Sequence, residues 1–168
     1  MSSPPPSYDL SIQIFGPGED PHHRSHWGFL IARPSSPTGD LLHVQVIDLD
    51  KLWYQFEARI NTPLRTMETM MQAVGKVKLA TLGSEQQRQQ AIEFITASPT
   101  PRDGRKRCQD WVFDTLLSLE VEEVVPAGTC HFWEGLVGRS AAEVRERSGV
   151  EWAGAVSKVA AQSTKISK

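Results

Sequence analysis

Residues 26–48 read HWGFLIARPSSPTGDLLHVQVID, and the order of apolar and turn-forming residues in them decides the fold. The first part, His26 to Arg33, is apolar at nearly every position, as expected of a strand buried on both faces and therefore central. The middle, PSSPTGD, collects proline, serine, glycine and aspartate, the residues of a hairpin loop. The last part, Leu41 to Asp48, alternates: Leu42, Val44 and Val46 share one face, His43, Gln45 and Ile47 the other. A hairpin of two antiparallel strands is the reading, with one histidine at the start of the first strand and one inside the second.

The pattern continues outward in both directions. Tyr8 to Phe15 sets Leu10, Ile12 and Ile14 against Ser11 and Gln13, a half-buried strand. Trp53 to Ile60 alternates again, and Val74 to Leu82 is a fifth strand, with a short helix weighed for residues 61–73. The loop 16–25, rich in Gly, Pro and His, reads as solvated. Beyond Gly83 the period changes. Ser84 opens a helix carrying Ala91, Ile92 and Ile95, which Pro99 and Pro101 end. After the basic loop RDGRKR comes CQDWVFDTLLSLEVEE, in which Val112, Leu116 and Leu119 mark an amphipathic helix beginning at Cys108. Residues 124–138 read as irregular, and Ser140 caps a last helix, AAEVRERS. Strands first and helices second predict an α+β fold, an antiparallel sheet with helices packed on it. Residues 1–7 are a Ser/Pro-rich lead-in, 8–152 one domain, and 153–168 a flexible tail.

Composition excludes several classes. Hydrophobic residues make up 39% of 168, enough to build a core without disulfides. With 18 basic and 20 acidic residues the formal charge is −2, which does not fit a nucleic-acid-binding surface. Two cysteines in separate contexts, Cys108 and Cys130, fit free thiols in a reducing compartment, and a cytoplasmic location is expected. The N-terminus lacks the basic and apolar regions of a signal peptide. No apolar run long enough for a membrane span occurs, so no integral membrane contact is expected.

Cys108 is the leading chemical candidate. A thiol at a helix start feels the positive end of the helix dipole, and Arg102, Arg105, Lys106 and Arg107 precede it; both effects favour a thiolate. Against this stands the ordinary reading of a buried, inert cysteine. His26 and His43 stand on neighbouring strands and offer the base that a thiol nucleophile needs, with a second group to hold it. His22 and His23 lie near Glu19 and Asp20 but without metal-ligand spacing, so no metal is expected, and no cofactor either. Cys130-His131 cannot serve each other, since adjacent residues of an extended chain point apart. That segment and the tryptophans Trp27, Trp53, Trp111 and Trp133 read as core or pocket wall. The basic run beside Cys108 would suit an acidic or carboxylate-bearing substrate.

The sequence HWGFLI, then LLHV, then CQDWV at a helix start resembles the lecithin–retinol acyltransferase group of circularly permuted papain-like (NlpC/P60-like) domains. His-Trp opens a strand there, a second His follows on the next strand, and a Cys motif opens a helix. The matching residues are His26-Trp27, His43 and Cys108-Gln109, with Arg107 where that group has Asn. The resemblance covers roughly residues 8–120 and implies a papain-like arrangement with Cys108 as nucleophile, His26 as base and His43 orienting that base. Trp27, Arg107, Gln109 and Trp111 would then contact a small-molecule or peptide substrate. The expected activity is hydrolysis or acyl transfer at an acyl, ester or amide group through a thioester. A cyclase or isomerase using the same pocket, and a non-catalytic binding domain with a structural Cys108, are the alternatives.

Overall fold

The computed structural model describes residues 6–155, so most of the expected lead-in and nearly all of the expected tail lie outside the described residues. The elements run β1 (Tyr8–Phe15), β2 (His26–Ala32), β3 (Thr38–Asp48), β4 (Trp53–Pro63), α1 (Leu64–Met70), β5 (Ala73–Leu82), α2 (Glu85–Ala97), α3 (Cys108–Val121), α4 (Thr129–Glu134), α5 (Ala141–Ser148), a 3-10 turn (Gly149–Glu151) and β6 (Trp152–Gly154). The six strands form one sheet in the order β4-β3-β2-β1-β5-β6, with every neighbouring pair antiparallel. The apolar β2 has strands on both sides, as its composition predicts.

Alternation along the strands sorts side chains onto two faces. Leu10, Ile12, Ile14, Trp27, Phe29, Ile31, Leu42 and Val44 turn toward the helices. They bury against Ala91 and Ile95 of α2, Trp111, Val112, Leu116 and Leu119 of α3, Trp133 of α4 and Val144 of α5. The opposite face carries a smaller cluster, Phe15, Leu30, Leu41 and Ala73, beneath Met67 of α1. Two helices begin as the sequence predicts. Ser84 accepts from the Gln87 N–H at 3.1 Å, and Ser140 from the Glu143 N–H at 3.2 Å, each satisfying a free donor of the first turn. No helix among the described residues is long and apolar enough to cross a membrane.

Four expectations change. The second strand of the hairpin begins at Thr38, so part of the loop expected over 34–40 is strand. The fourth strand runs on to Pro63, through the first part of the helix weighed for 61–73. At Asn61 the backbone takes a positive φ of 55°, and its N–H goes to the Asp40 carboxylate at 2.8 Å, so a side chain replaces a ladder bond. Within residues 124–138, expected to be irregular, Thr129–Glu134 forms α4, which turns Cys130 and Trp133 inward. Finally, the chain is ordered past the expected domain end. Trp152–Gly154 pairs with β5, and a side chain at Gly75 would collide with the Trp152 ring, its Cβ falling 2.3 Å from a ring carbon.

Candidate active site

The histidines meet because of register. Phe29 pairs with Leu42 and Leu30 with Leu41, and one step further Gly28 stands opposite His43. His26, two residues before Gly28, is then the diagonal neighbour of His43 on the same face. His26 Nε2 lies 2.7 Å from His43 Nδ1. Gly28 is what admits this approach: a Cβ there would sit 2.9 Å from His43 Cβ and 3.2 Å from Leu41 Cδ1.

The β3–β4 register adds a third member. His43 pairs directly with Glu57, and His43 Nε2 lies 3.1 Å from Glu57 Oε1. Glu57 also accepts from Arg59 Nε. Burial works upward on the Glu57 carboxyl, but the bonds from Arg59 and His43 hold it below its usual range. His43 Nε2 also lies 3.3 Å from the Gln45 amide nitrogen, but the Glu57 carboxylate is nearer and, being ionised, the stronger partner. A carboxylate only accepts, so with Glu57 as its partner His43 Nε2 carries hydrogen, His43 Nδ1 accepts, and His26 Nε2 donates to it. The tautomers follow from the partners and leave His26 Nδ1 as the bare, basic nitrogen. Burial, aided by the nearby His43, drives the His26 imidazole down to about 4. His43 is also lowered by burial, with Glu57 pulling the other way. Both rings are neutral at pH 7.

Cys108 is the first residue of α3, and the Arg107 N–H before it is capped by Asp110 Oδ2 at 2.9 Å. Its position is fixed by Gln109, whose fully buried amide is engaged at both ends. Gln109 Nε2 donates to the Ser25 carbonyl at 2.9 Å, and its Oε1 accepts from the Gly138 N–H at 2.7 Å. Since Ser25 precedes His26, one side chain ties the start of α3 to the start of β2. Cys108 and His26 line the same open cavity of about 420 Å³, with His43, Arg24, Tyr54 and Gln45.

The electrostatics differ from the expectation of a readily formed thiolate. Burial pushes the Cys108 thiol above its ordinary value, against the backbone N–H groups of Trp27 and Gln109 and the Arg24 cation, all of which pull it down. Two cations of the basic run are engaged elsewhere. Lys106 pairs with Asp114 at 2.7 Å, and the Arg102 guanidinium stacks 5.0 Å over the Trp53 ring. The cation at the cavity is Arg24. Tyr54, also on the wall, is raised by burial and by the neighbouring Cys108, so its hydroxyl stays protonated.

Of the residues expected to touch substrate, Trp27, Gln109 and Trp111 are fully buried and lie outside the cavity lining. Trp27 packs edge-on against Trp133 at 5.1 Å, and Trp111 against Phe29 at 5.7 Å. Arg107, half-buried, precedes Cys108 at the helix start and is likewise outside the lining. Cys130 is buried in α4, raised by burial and by Glu120 to about 11. His22 is exposed, and His23 bonds Asp20 at 3.1 Å. No set of three His, Cys, Asp or Glu among the described residues is arranged to hold a metal ion. Glu57, Arg24 and Tyr54 were not expected from the sequence. Only Glu57 left a signal, since a tight β3–β4 turn centred near Asp50 places residue 57 opposite residue 43.

Fold and site together define an α+β domain in which a helix-start cysteine and a Glu–His–His chain open on one cavity. Residues 12–126 match a protein family of unknown function, DUF6540, and the chain belongs to that family. No curated protein and no solved structure matches it.

Proposed function

We propose that this protein is a cysteine-nucleophile enzyme of papain-like arrangement that acts on an acyl, ester or amide carbonyl through a thioester on Cys108. One observation carries the reading. The Glu57–His43–His26 hydrogen-bond chain ends on a bare imidazole nitrogen in the cavity that Cys108 also lines. A structural histidine has no need of a second histidine and a carboxylate fixing its tautomer. A general base does.

The resting pair is a neutral thiol and a neutral imidazole. As the sulfur attacks a bound carbonyl carbon, the S–C bond forms and the thiol proton passes to His26 Nδ1. The growing imidazolium is stabilised through His43 by the Glu57 carboxylate. The Tyr54 hydroxyl and the backbone N–H groups at the start of α3 are the donors available to the oxyanion. His26 then gives its proton to the leaving oxygen or nitrogen as the C–O or C–N bond breaks, which leaves the thioester. Water, an alcohol or an amine attacks that thioester with His26 again taking the proton. The C–S bond breaks and His26 returns the proton to the leaving sulfur, which completes hydrolysis or transfer and restores the neutral pair.

The test uses a generic activated ester, p-nitrophenyl acetate, with intact-mass and peptide mapping of the protein. The expected result is an acetyl group on Cys108, absent from Cys108→Ser. It should form about 10²-fold more slowly in His26→Ala. His43→Gln, which keeps a hydrogen-bonding side chain, should retain much more of the rate than His43→Leu. No adduct on Cys108, or adduct formation indifferent to His26, overturns the reading.

A further inference from the structure

The geometry points to Arg24 as an anion-binding subsite that selects a substrate carrying a carboxylate close to the carbonyl attacked by Cys108. This rests on Cys108 being the nucleophile and adds the charge class of what it attacks. Arg24 lies in the loop just before β2 and reaches the wall of the cavity that holds Cys108, His26 and Tyr54. Its guanidinium is poorly used within the protein. The Nε is buried with no hydrogen-bond partner, and Nη1 comes only within 3.7 Å of Asp110 Oδ2. That oxygen is already committed to the Arg107 N–H at 2.9 Å. A guanidinium has five donors in a planar fork that matches a carboxylate, and with the side chain 30% exposed its terminal nitrogens are the donors within reach of an anion in the cavity.

The rest of the lining gives Arg24 no competitor. His26, His43, Tyr54, Gln45 and Cys108 are all neutral at pH 7 in the resting state. A single positive charge set against neutral walls is felt by an incoming anion more strongly than the same charge on open surface. The basic run 102–107 supplies no second cation to this lining. Arg107 acts on Tyr54 from outside the lining, so Arg24 is the cation that a bound anion can meet directly.

Alkylation of Cys108 by iodoacetate and iodoacetamide tests this without a known substrate. The two reagents differ by a carboxylate against an amide one bond from the reacting carbon. Both need the same thiolate, so the ratio of their rates cancels any change in the thiol pKa. Rates are followed by peptide mapping at about pH 8, where enough thiolate forms, with a small-molecule thiol as reference. The wild-type ratio of iodoacetate to iodoacetamide should exceed that of the free thiol. In Arg24→Gln it should fall about tenfold, the size expected for losing one nearby charge in a partly wet site, and Arg24→Lys should keep much of it. High salt should narrow the wild-type ratio, an arm that holds even if Arg24→Gln folds poorly. A wild-type ratio equal to the free thiol's overturns the subsite, as does an Arg24→Gln variant in which both rates drop and the ratio stays. A Cys108 that neither reagent modifies defeats the nucleophile reading itself and the subsite with it.

Discussion

The half-buried His26 makes stability fall as the solution is acidified, over a window set by its two protonation constants. In the unfolded chain the imidazole takes up a proton near 6.5; in the folded protein burial and His43 delay this to about 4. Above 6.5 neither state is protonated there and the group has no effect. Between the two values the unfolded chain binds more protons, so folding stability is lost as pH falls and levels off below about 4. At about 1.4 kcal/mol per pH unit, the loss from pH 7 to pH 4 is about 3 kcal/mol. Lowered carboxylates such as Glu57 and Glu85 lose their own contributions only on passing through the usual carboxylate range and below it. The span from pH 6.5 to 5 therefore belongs to His26 and, with the same sign, His43. Urea unfolding at a series of pH values measures it. With an m-value of about 2 kcal/mol/M, the wild-type midpoint should drop by about 1.5 M between pH 7 and pH 4. His26→Gln, which has nothing to protonate, should show most of that slope removed. Parallel curves for the two proteins would refute the burial of a neutral His26.

Two further substitutions probe the same face of the sheet. Gly28→Ala brings a methyl within 2.9 Å of His43 Cβ. It should cost about 1–3 kcal/mol in unfolding free energy and slow acetylation of Cys108; a variant of unchanged stability and rate would remove Gly28 as a spacer. Gln13 is fully buried with both amide atoms unpartnered, so Gln13→Met should raise stability by about 1 kcal/mol or more, and a lowered melting temperature would contradict that accounting.

Much of this arrangement was legible in the sequence because local rules coincide with the tertiary answer. The alternation of Leu42, Val44 and Val46 and the unbroken apolar run in β2 set faces and a central position. Ser84 and Ser140 cap the helices they precede. Cys108 at a helix start and histidines on adjacent strands follow from the same patterns. What stayed hidden depends on long-range geometry. Glu57 joins His43 only through the register that the β3–β4 turn imposes. Arg24 sits in a His-rich loop that reads as solvated. The basic run before Cys108 gave the opposite sign for the thiol, because burial of the sulfur, which the local sequence does not reveal, is what raises it, while Lys106 and Arg102 are engaged by Asp114 and Trp53. Trp27, Gln109 and Trp111 adjoin the key positions in the chain yet face the core, since a helix start and a strand each alternate what they show to a cavity.

The two-ended amide of Gln109 also bears on where the working unit stops. The family match ends at residue 126, yet the group that holds Gln109 Oε1 is the Gly138 N–H, and Ala141 N–H returns to the Pro17 carbonyl at 2.9 Å, within the loop bearing Arg24. The segment outside the shared pattern therefore acts as a brace for the nucleophile's helix. The two ties themselves are backbone donors, but the segment is held by its side chains as well, since Trp133 and Val144 are buried in the core and Gly138 takes a positive φ of 83° that favours glycine. Relatives that keep the cysteine and histidines but route this segment differently would have to find another donor for the glutamine or lose the alignment of thiol and imidazole.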